Sequence, residues 1–286
     1  MKYFDSPYKQ LSRKINTWCN YTQRLDTYGC GCQHDCKYCY AKGLLAFRGH
    51  WNSNEPAIAN IKTIRKAINQ LTVSDVIRIG GMTDCFQPIE KTHKLTLATI
   101  KLLNNHKINY LIVTKSDMVA SDEYLNVYDK KLAHFQVTIT STSVNDYENA
   151  PPPQKRIDAI ERLYNCGFDV SVRLSPFIPQ NIDLTILNKI KCNKILIEFL
   201  KINHWIRKQF DIDYSEYSLR FGGHDNLQLE RKIEYLKGVQ SFSQKSVGEY
   251  VYEHHKYFSN NYNYNKNDCC NLTLNLSPEP QLKLAL

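Results

Sequence analysis

The chain has 286 residues, 42% apolar and 12% aromatic, with 37 Lys and Arg against 28 Asp and Glu for a formal net charge of +9. That length is enough for a large core without staples, and no apolar run approaches the ~18 residues a helix needs to cross a bilayer, so no membrane partner is expected. The positive excess favours polyanions, nucleic acid first, although Lys62, Lys130, Lys155, Lys189 and the other scattered lysines equally describe a solvated basic surface.

Ten cysteines without an N-terminal secretory pattern point to a reducing, cytoplasmic compartment. Residues 1–19 read as an N-terminal segment. A first strand within residues 20–28 feeds a loop carrying Cys32, Cys36 and Cys39. Ile58, Ile61, Ile64, Ile68 and Leu71 recur at helical spacing, and residues 76–79 then form a strand stopped by Gly80-Gly81. A helix over 95–105 precedes a strand at 108–113, and Ser121-Asp122-Glu123 opens a short helix before a strand at 135–140. After Pro151-Pro152-Pro153, a helix with Ile157, Ile160 and Leu163 on one face closes at Gly167, and residues 170–174 and 195–199 supply two more buried strands.

This alternation predicts an α/β fold, an open partial (β/α)6 TIM-like barrel over residues 20–240 with a C-terminal extension over 241–286. The extension is polar and Tyr-rich, with Tyr250, Tyr252, Tyr257, Tyr262 and Tyr264 among His and Lys. That pattern fits base stacking or simple compositional bias.

The three cysteines have the spacing C-x3-C-x2-C. A four-iron cubane normally takes four thiolates, so three leave one iron open to an outside ligand. A zinc knuckle would need a fourth ligand at regular spacing; Cys30 or His34 is available, but Cys30 sits too close to Cys32 for the usual pair. Such a loop, with an aromatic residue before the third cysteine, resembles that of the radical S-adenosylmethionine (SAM) superfamily. The resemblance implies a [4Fe-4S] cluster on Cys32, Cys36 and Cys39, SAM chelating the open iron, and a low-potential electron donor such as flavodoxin or ferredoxin.

In parallel β/α folds ligands gather where strands end. The residues at or just after the ends of the expected strands are Gly80-Gly81-Met82-Thr83-Asp84, Lys115, Thr140, Ser141 and Ser175. Gly80 and Gly81 admit a ligand close to the backbone, Lys115 suits the SAM carboxylate, and Thr140, Ser141 or Ser175 suit its ribose.

More specifically, Cys36-Lys37-Tyr38-Cys39-Tyr40, the segment from Thr83 to Glu90 and Thr114-Lys115-Ser116 resemble spore photoproduct lyase and its photolyase-like relatives, over roughly residues 25–185. This implies hydrogen abstraction from a nucleic-acid base, DNA favoured, with Tyr38 beside the adenine of SAM and Tyr40 and Cys85 as hydrogen-transfer candidates. The family's hydrogen-donor cysteine has no clean match, because Met82 stands at that place. A peptide, tRNA or small-molecule substrate, and a zinc-stabilised nucleic-acid-binding module, remain alternatives.

Overall fold

A computed structural model of the chain describes residues 3–4, 8–10, 21, 23–266 and 268–272. Cys19, most of the 1–19 segment and the stretch after residue 272 lie outside the described residues.

The short β-branched runs pair into one sheet of eight strands: β1 (Tyr8–Gln10), β2 (Gln23–Leu25), β3 (Val76–Ile79), β4 (Asn109–Thr114), β5 (Ala133–Thr138), β6 (Asp169–Phe177), β7 (Lys194–Phe199) and β8 (Gln244–Val247). They lie side by side in chain order. Strands β2 to β8 are all parallel, which requires a crossover between each pair, and β1 runs antiparallel along the edge of β2. The end strands β1 and β8 do not pair, so the barrel is unclosed.

Six parallel strands match those expected. The seventh, β8, falls inside the segment read as an extension past residue 240 and pairs with β7 from Lys194 to Ile197. Its Gln-Lys-Ser-Val text carries no apolar run; Gln244 and Lys245 are only partly buried.

The two faces of the sheet differ in chemistry. On one, Ile77, Ile79, Tyr110, Ile112, Phe135, Val137, Val172 and Ile197 are buried in one continuous core. Helices α2 (Ile61–Ile68), α3 (Leu95–Asn105) and α4 (Pro153–Asn165) add Ile64, Ile68, Ile100, Leu103, Ile157, Ile160 and Leu163 to it. Each such side chain contributes about 1.5–3 kcal/mol by leaving water. The alternate positions, Arg78, Gln136, Thr138, Arg173 and Glu198, form the inner face.

Deeper along that inner face, Tyr21, Val76, Leu111, Cys270 and Leu272 make a separate small cluster. Lys194 Nζ donates to Asn271 O at 2.7 Å and Ser246 Oγ to Cys269 O at 2.5 Å. The adjacent cysteines 269 and 270 therefore sit against the sheet's inner face and not beside the cysteine loop.

Candidate active site

The loop after β2 is shaped to turn three sulfurs toward one side. Gly31 is required by close approach, since a Cβ there would meet Asn52 O at 1.9 Å. Asp35 N donates to Cys32 O (3.0 Å) and Cys39 N to Cys36 O (3.1 Å), giving two tight turns in succession. Cys39 caps α1 (Tyr40–Phe47), its Sγ accepting from Lys42 N at 3.4 Å, where the helix's positive end favours a thiolate. The loop is tied outward by Lys37 N donating to Tyr147 O (2.8 Å) and Asn149 N donating to His34 O (2.7 Å).

Cys32, Cys36 and Cys39 open onto one cavity of about 510 Å³. Its wall is assembled at the C-terminal ends of the parallel strands: Gly80 to Asp84 after β3, Lys115 after β4, Thr138 on β5, Ser175 on β6, Lys201 after β7 and Tyr250 after β8. Of the residues singled out from sequence, the cavity brings together Tyr38, Tyr40, Gly80, Gly81, Thr83, Asp84, Lys115 and Ser175 with the three cysteines.

Thr140, Ser141 and Cys85 are placed differently. Thr140 Oγ1 donates inward to Glu148 Oε1 at 3.0 Å, Ser141 Oγ bonds Ser143 O at 2.8 Å, and both are buried off the cavity. Cys85 is 1% exposed within the apolar core. Met82, not Cys85, borders the cavity, with the Tyr40 hydroxyl 3.8 Å from its Sδ and 3.2 Å from Gly81 O.

The turn after β3 is held from both sides. Gly80 has φ +85°, and a Cβ on it would lie 2.7 Å from Val113 O. Asp26 Oδ1 accepts from Gly81 N (2.6 Å) and Met82 N (3.0 Å). Asp84 accepts from Phe86 N (2.8 Å), Thr114 Oγ1 (2.6 Å) and Lys115 N (2.7 Å), with His34 Nε2 at 3.3 Å. Burial opposes its ionisation, yet His34, Thr114 and the Lys115 amide hold the Asp84 carboxyl down to about 2. With its oxygens so committed, Asp84 aligns two loops and presents Lys115.

Tyr38 is likewise a strut. Its buried hydroxyl donates to Glu148 and lies 3.3 Å from Thr140 Oγ1, while its ring packs edge-on to Tyr147 and Phe210. Glu148 pairs with Arg156 of α4, whose Nε donates to Pro151 O at 2.6 Å. Lys115 Nζ stands 5.5 Å over the Tyr38 ring, and its charge favours the ionised forms of Cys36, Cys39 and Glu148 against their desolvation.

The donor set fits an iron-sulfur cluster. Burial pushes the Cys32 thiol up to about 12 and Cys36 well above its usual value, so these sulfurs ionise readily only beside a bound cation. Among the described residues no three His, Cys, Asp or Glu side chains close on a single ion. A cubane does not ask that of its thiolates, because each binds a separate iron at a separate corner. Gly80 and Gly81 put no side chain into the cavity that holds the three sulfurs, their carbonyls each taking one bond, from Arg78 Nε and the Tyr40 hydroxyl at 3.2 Å, and Lys115 supplies a cation there.

Sequence reading missed the inner wall. Arg78, Arg173 and Glu198 also border the cavity, as do Lys201, His224 and Tyr250, the last already named among the tyrosines of the C-terminal segment. Arg173 pairs with Glu198, whose Oε2 also accepts from Ser175 Oγ at 2.7 Å. The first three were hidden as alternate residues in strands read as apolar. His224 lies on a hairpin, Leu219–Phe221 with His224–Asn226, turned by Gly222 and Gly223, both with positive φ. A Gly-Gly pair between two short strands is the signal that announces it.

The radical SAM superfamily model matches residues 27–187, more than half of the chain. The chain belongs to the radical SAM superfamily. It is 29% identical over 204 residues, 64% of its length and 75% of the relative's, to an uncharacterized protein, MJ0683, of Methanocaldococcus jannaschii. Among solved structures it resembles a mutant spore photoproduct lyase with bound AdoMet and dinucleoside spore photoproduct: TM-score 0.61, 17% identity, covering 85% of this chain and 81% of that one. A second spore photoproduct lyase structure, complexed with dinucleoside spore photoproduct, gives a TM-score of 0.62 at 16% identity, covering 84% and 81%. At those identities the likeness is one of fold.

Proposed function

We propose that this radical SAM enzyme abstracts hydrogen from a nucleic-acid base, DNA favoured, in the manner of spore photoproduct lyase. The observation that carries the reading is one cavity bordered by three cysteine sulfurs, Lys115, Gly80, Gly81, Arg78, Arg173 and Lys201. When bound and reduced by a low-potential donor of the flavodoxin or ferredoxin type, the cluster supplies the electron that splits the SAM sulfonium and yields a 5′-deoxyadenosyl radical.

The chain's own residues do the positioning. Cys32, Cys36 and Cys39 ligate iron, and the fourth corner is left to SAM. Carbonyls of Gly80 and Gly81 accept from the SAM ammonium, and Lys115 pairs with its carboxylate. Ser175 is the hydroxyl best placed for the ribose. Tyr38, braced by Glu148, limits the space beside the cysteines and excludes water. Tyr40, with its hydroxyl at Met82, is the residue best placed to return hydrogen to a product.

The cations Arg78, Lys115, Arg173 and Lys201 on the cavity, the +9 net charge and the dinucleoside complexes of the structural relatives support a nucleic-acid substrate. The test is anaerobic turnover of the reconstituted, reduced protein with SAM and dinucleoside spore photoproduct deuterated at C6 of the dihydrothymine ring, the carbon whose radical lies β to the bridging bond. Deuterium in 5′-deoxyadenosine is the expected result; 5′-deoxyadenosine without deuterium would reject the substrate class while leaving the radical chemistry intact.

A further inference from the structure

We infer that Glu198 is a specificity residue that reads the imide N–H of a thymine or uracil ring, an assignment that rests on the nucleic-acid-base reading above.

Glu198 lies on β7, and its side chain, 31% exposed, borders the same cavity as the cysteines. Both hydrogen bonds it accepts fall on one oxygen, Oε2: from Arg173 Nη2 and from Ser175 Oγ at 2.7 Å. Among the described residues no hydrogen bond falls on Oε1. Gly248 makes room for that oxygen, since a Cβ there would come within 3.3 Å of Oε1 and 3.1 Å of Cγ. Arg173 is itself fixed by Nη1 donating to Gln136 Oε1 at 2.5 Å, so the pair is rigid. Although burial opposes it, Arg173 and Lys201 keep the carboxyl below its ordinary range, and it remains an acceptor at neutral pH.

Cations stand near the carboxylate: Arg173 donates to Oε2, and the charge of Lys201 favours the ionised form. Arg173 lies on one strand neighbour, and Lys201 follows Glu198 with its ammonium 5.1 Å over the Tyr250 ring. The complement of an acceptor near donors is a donor near acceptors, which on a nucleobase is the N3–H of thymine or uracil between its two carbonyls. Cytosine presents a bare N3 lone pair there and would meet Glu198 acceptor to acceptor. A site built to bond a substrate N–H discriminates against an analogue lacking it, because one carboxylate oxygen is then left facing an acceptor with no donor.

The test measures binding of fluorescent dinucleotides to the reconstituted, SAM-loaded protein: dithymidine, its N3-methylated form and dicytidine. The parent should bind dithymidine at least about 10-fold more tightly than either of the others. In Glu198→Gln, Arg173 and Ser175 hold the amide oxygen in place of Oε2, which turns the NH2 toward the substrate; preference should shift toward dicytidine. Equal affinity of the parent for all three, no binding of any, or a loss of SAM affinity in Glu198→Gln matching the loss for dithymidine would each overturn the assignment. A separate assay for 5′-deoxyadenosine keeps the two readings apart: its formation without base discrimination sinks only this one, and discrimination without it sinks only the radical chemistry.

Discussion

Gln33 and Gln87 clasp the cysteine loop to the loop after β3: Gln33 N donates to Gln87 Oε1 at 2.9 Å, and Gln33 Oε1 accepts from Ile89 N at 2.6 Å. The cluster loop therefore takes its position from the same segment that supplies Gly80 and Gly81. Glu90, three residues after Gln87, accepts from Thr96 N and Leu97 N at 3.0 Å each and from the Tyr28 and Tyr124 hydroxyls, which caps α3 beneath that segment. The text from Asp84 to Glu90 is thus scaffolding for the site. Gln87→Ala should lower stability by about 1–2 kcal/mol, read by urea unfolding, and reduce the iron taken up during reconstitution.

Lys115 is aimed by Asp84 through its own backbone amide and stands over Tyr38. Lys115→Ala should weaken SAM binding by about 10- to 100-fold, the range for losing one charged hydrogen bond. Equilibrium dialysis of the reconstituted protein measures it. Lys115→Arg should restore part of the loss, since the charge returns with a different reach.

Met82 and Cys85 exchange the roles their chemistry alone would assign. Cys85 is enclosed in the core, so Cys85→Ala should cost about 1 kcal/mol of stability, by thermal or urea unfolding, and leave the identity of the product unchanged. Met82→Cys places an S–H beside the Tyr40 hydroxyl. Turnover of dinucleoside photoproduct in heavy water should then put more solvent deuterium into the repaired base than the parent does, by mass spectrometry.

At the other end of the inner face, Asp169 accepts from His134 Nδ1 at 2.7 Å and pairs with Lys194 at 2.5 Å. Despite burial, these partners hold its carboxyl below the ordinary value. Its folded pKa is depressed, so its stabilisation is complete above the unfolded value of about 3.9 and fades as pH falls through the folded one. Urea unfolding of the parent should therefore weaken with falling pH below about 5, and Asp169→Asn should flatten that limb.

The extent to which the site was legible follows from where its information lies along the chain. Strands β3 to β7 announce themselves because their outer residues, such as Ile77, Ile112, Val137, Val172 and Ile197, are apolar for the sake of the helices. The cysteine loop is equally local. Glu148 and Arg156 were not visible: their value lies in reaching Tyr38, 110 residues from Glu148, and nothing local to either sequence position records it. Asp26 was missed for the same reason, its partners Gly81 and Met82 being 55 and 56 residues away. Strand β8 went unread because Gln244 and Lys245 lack the apolar pattern that marks a buried strand. Ser141 follows β5 as expected, and Thr140, read as the last residue of that strand, lies just past it, but Glu148 and Ser143 turn their hydroxyls away from the cavity.

Electron paramagnetic resonance of the anaerobically reconstituted, reduced protein, with and without SAM, bears most directly on the three-cysteine site. A cubane spectrum that changes shape when SAM is added, and that disappears in Cys32→Ala, Cys36→Ala and Cys39→Ala alike, is what three thiolates and an exchangeable corner require. A cluster spectrum indifferent to SAM, or one that survives loss of these cysteines, would contradict it.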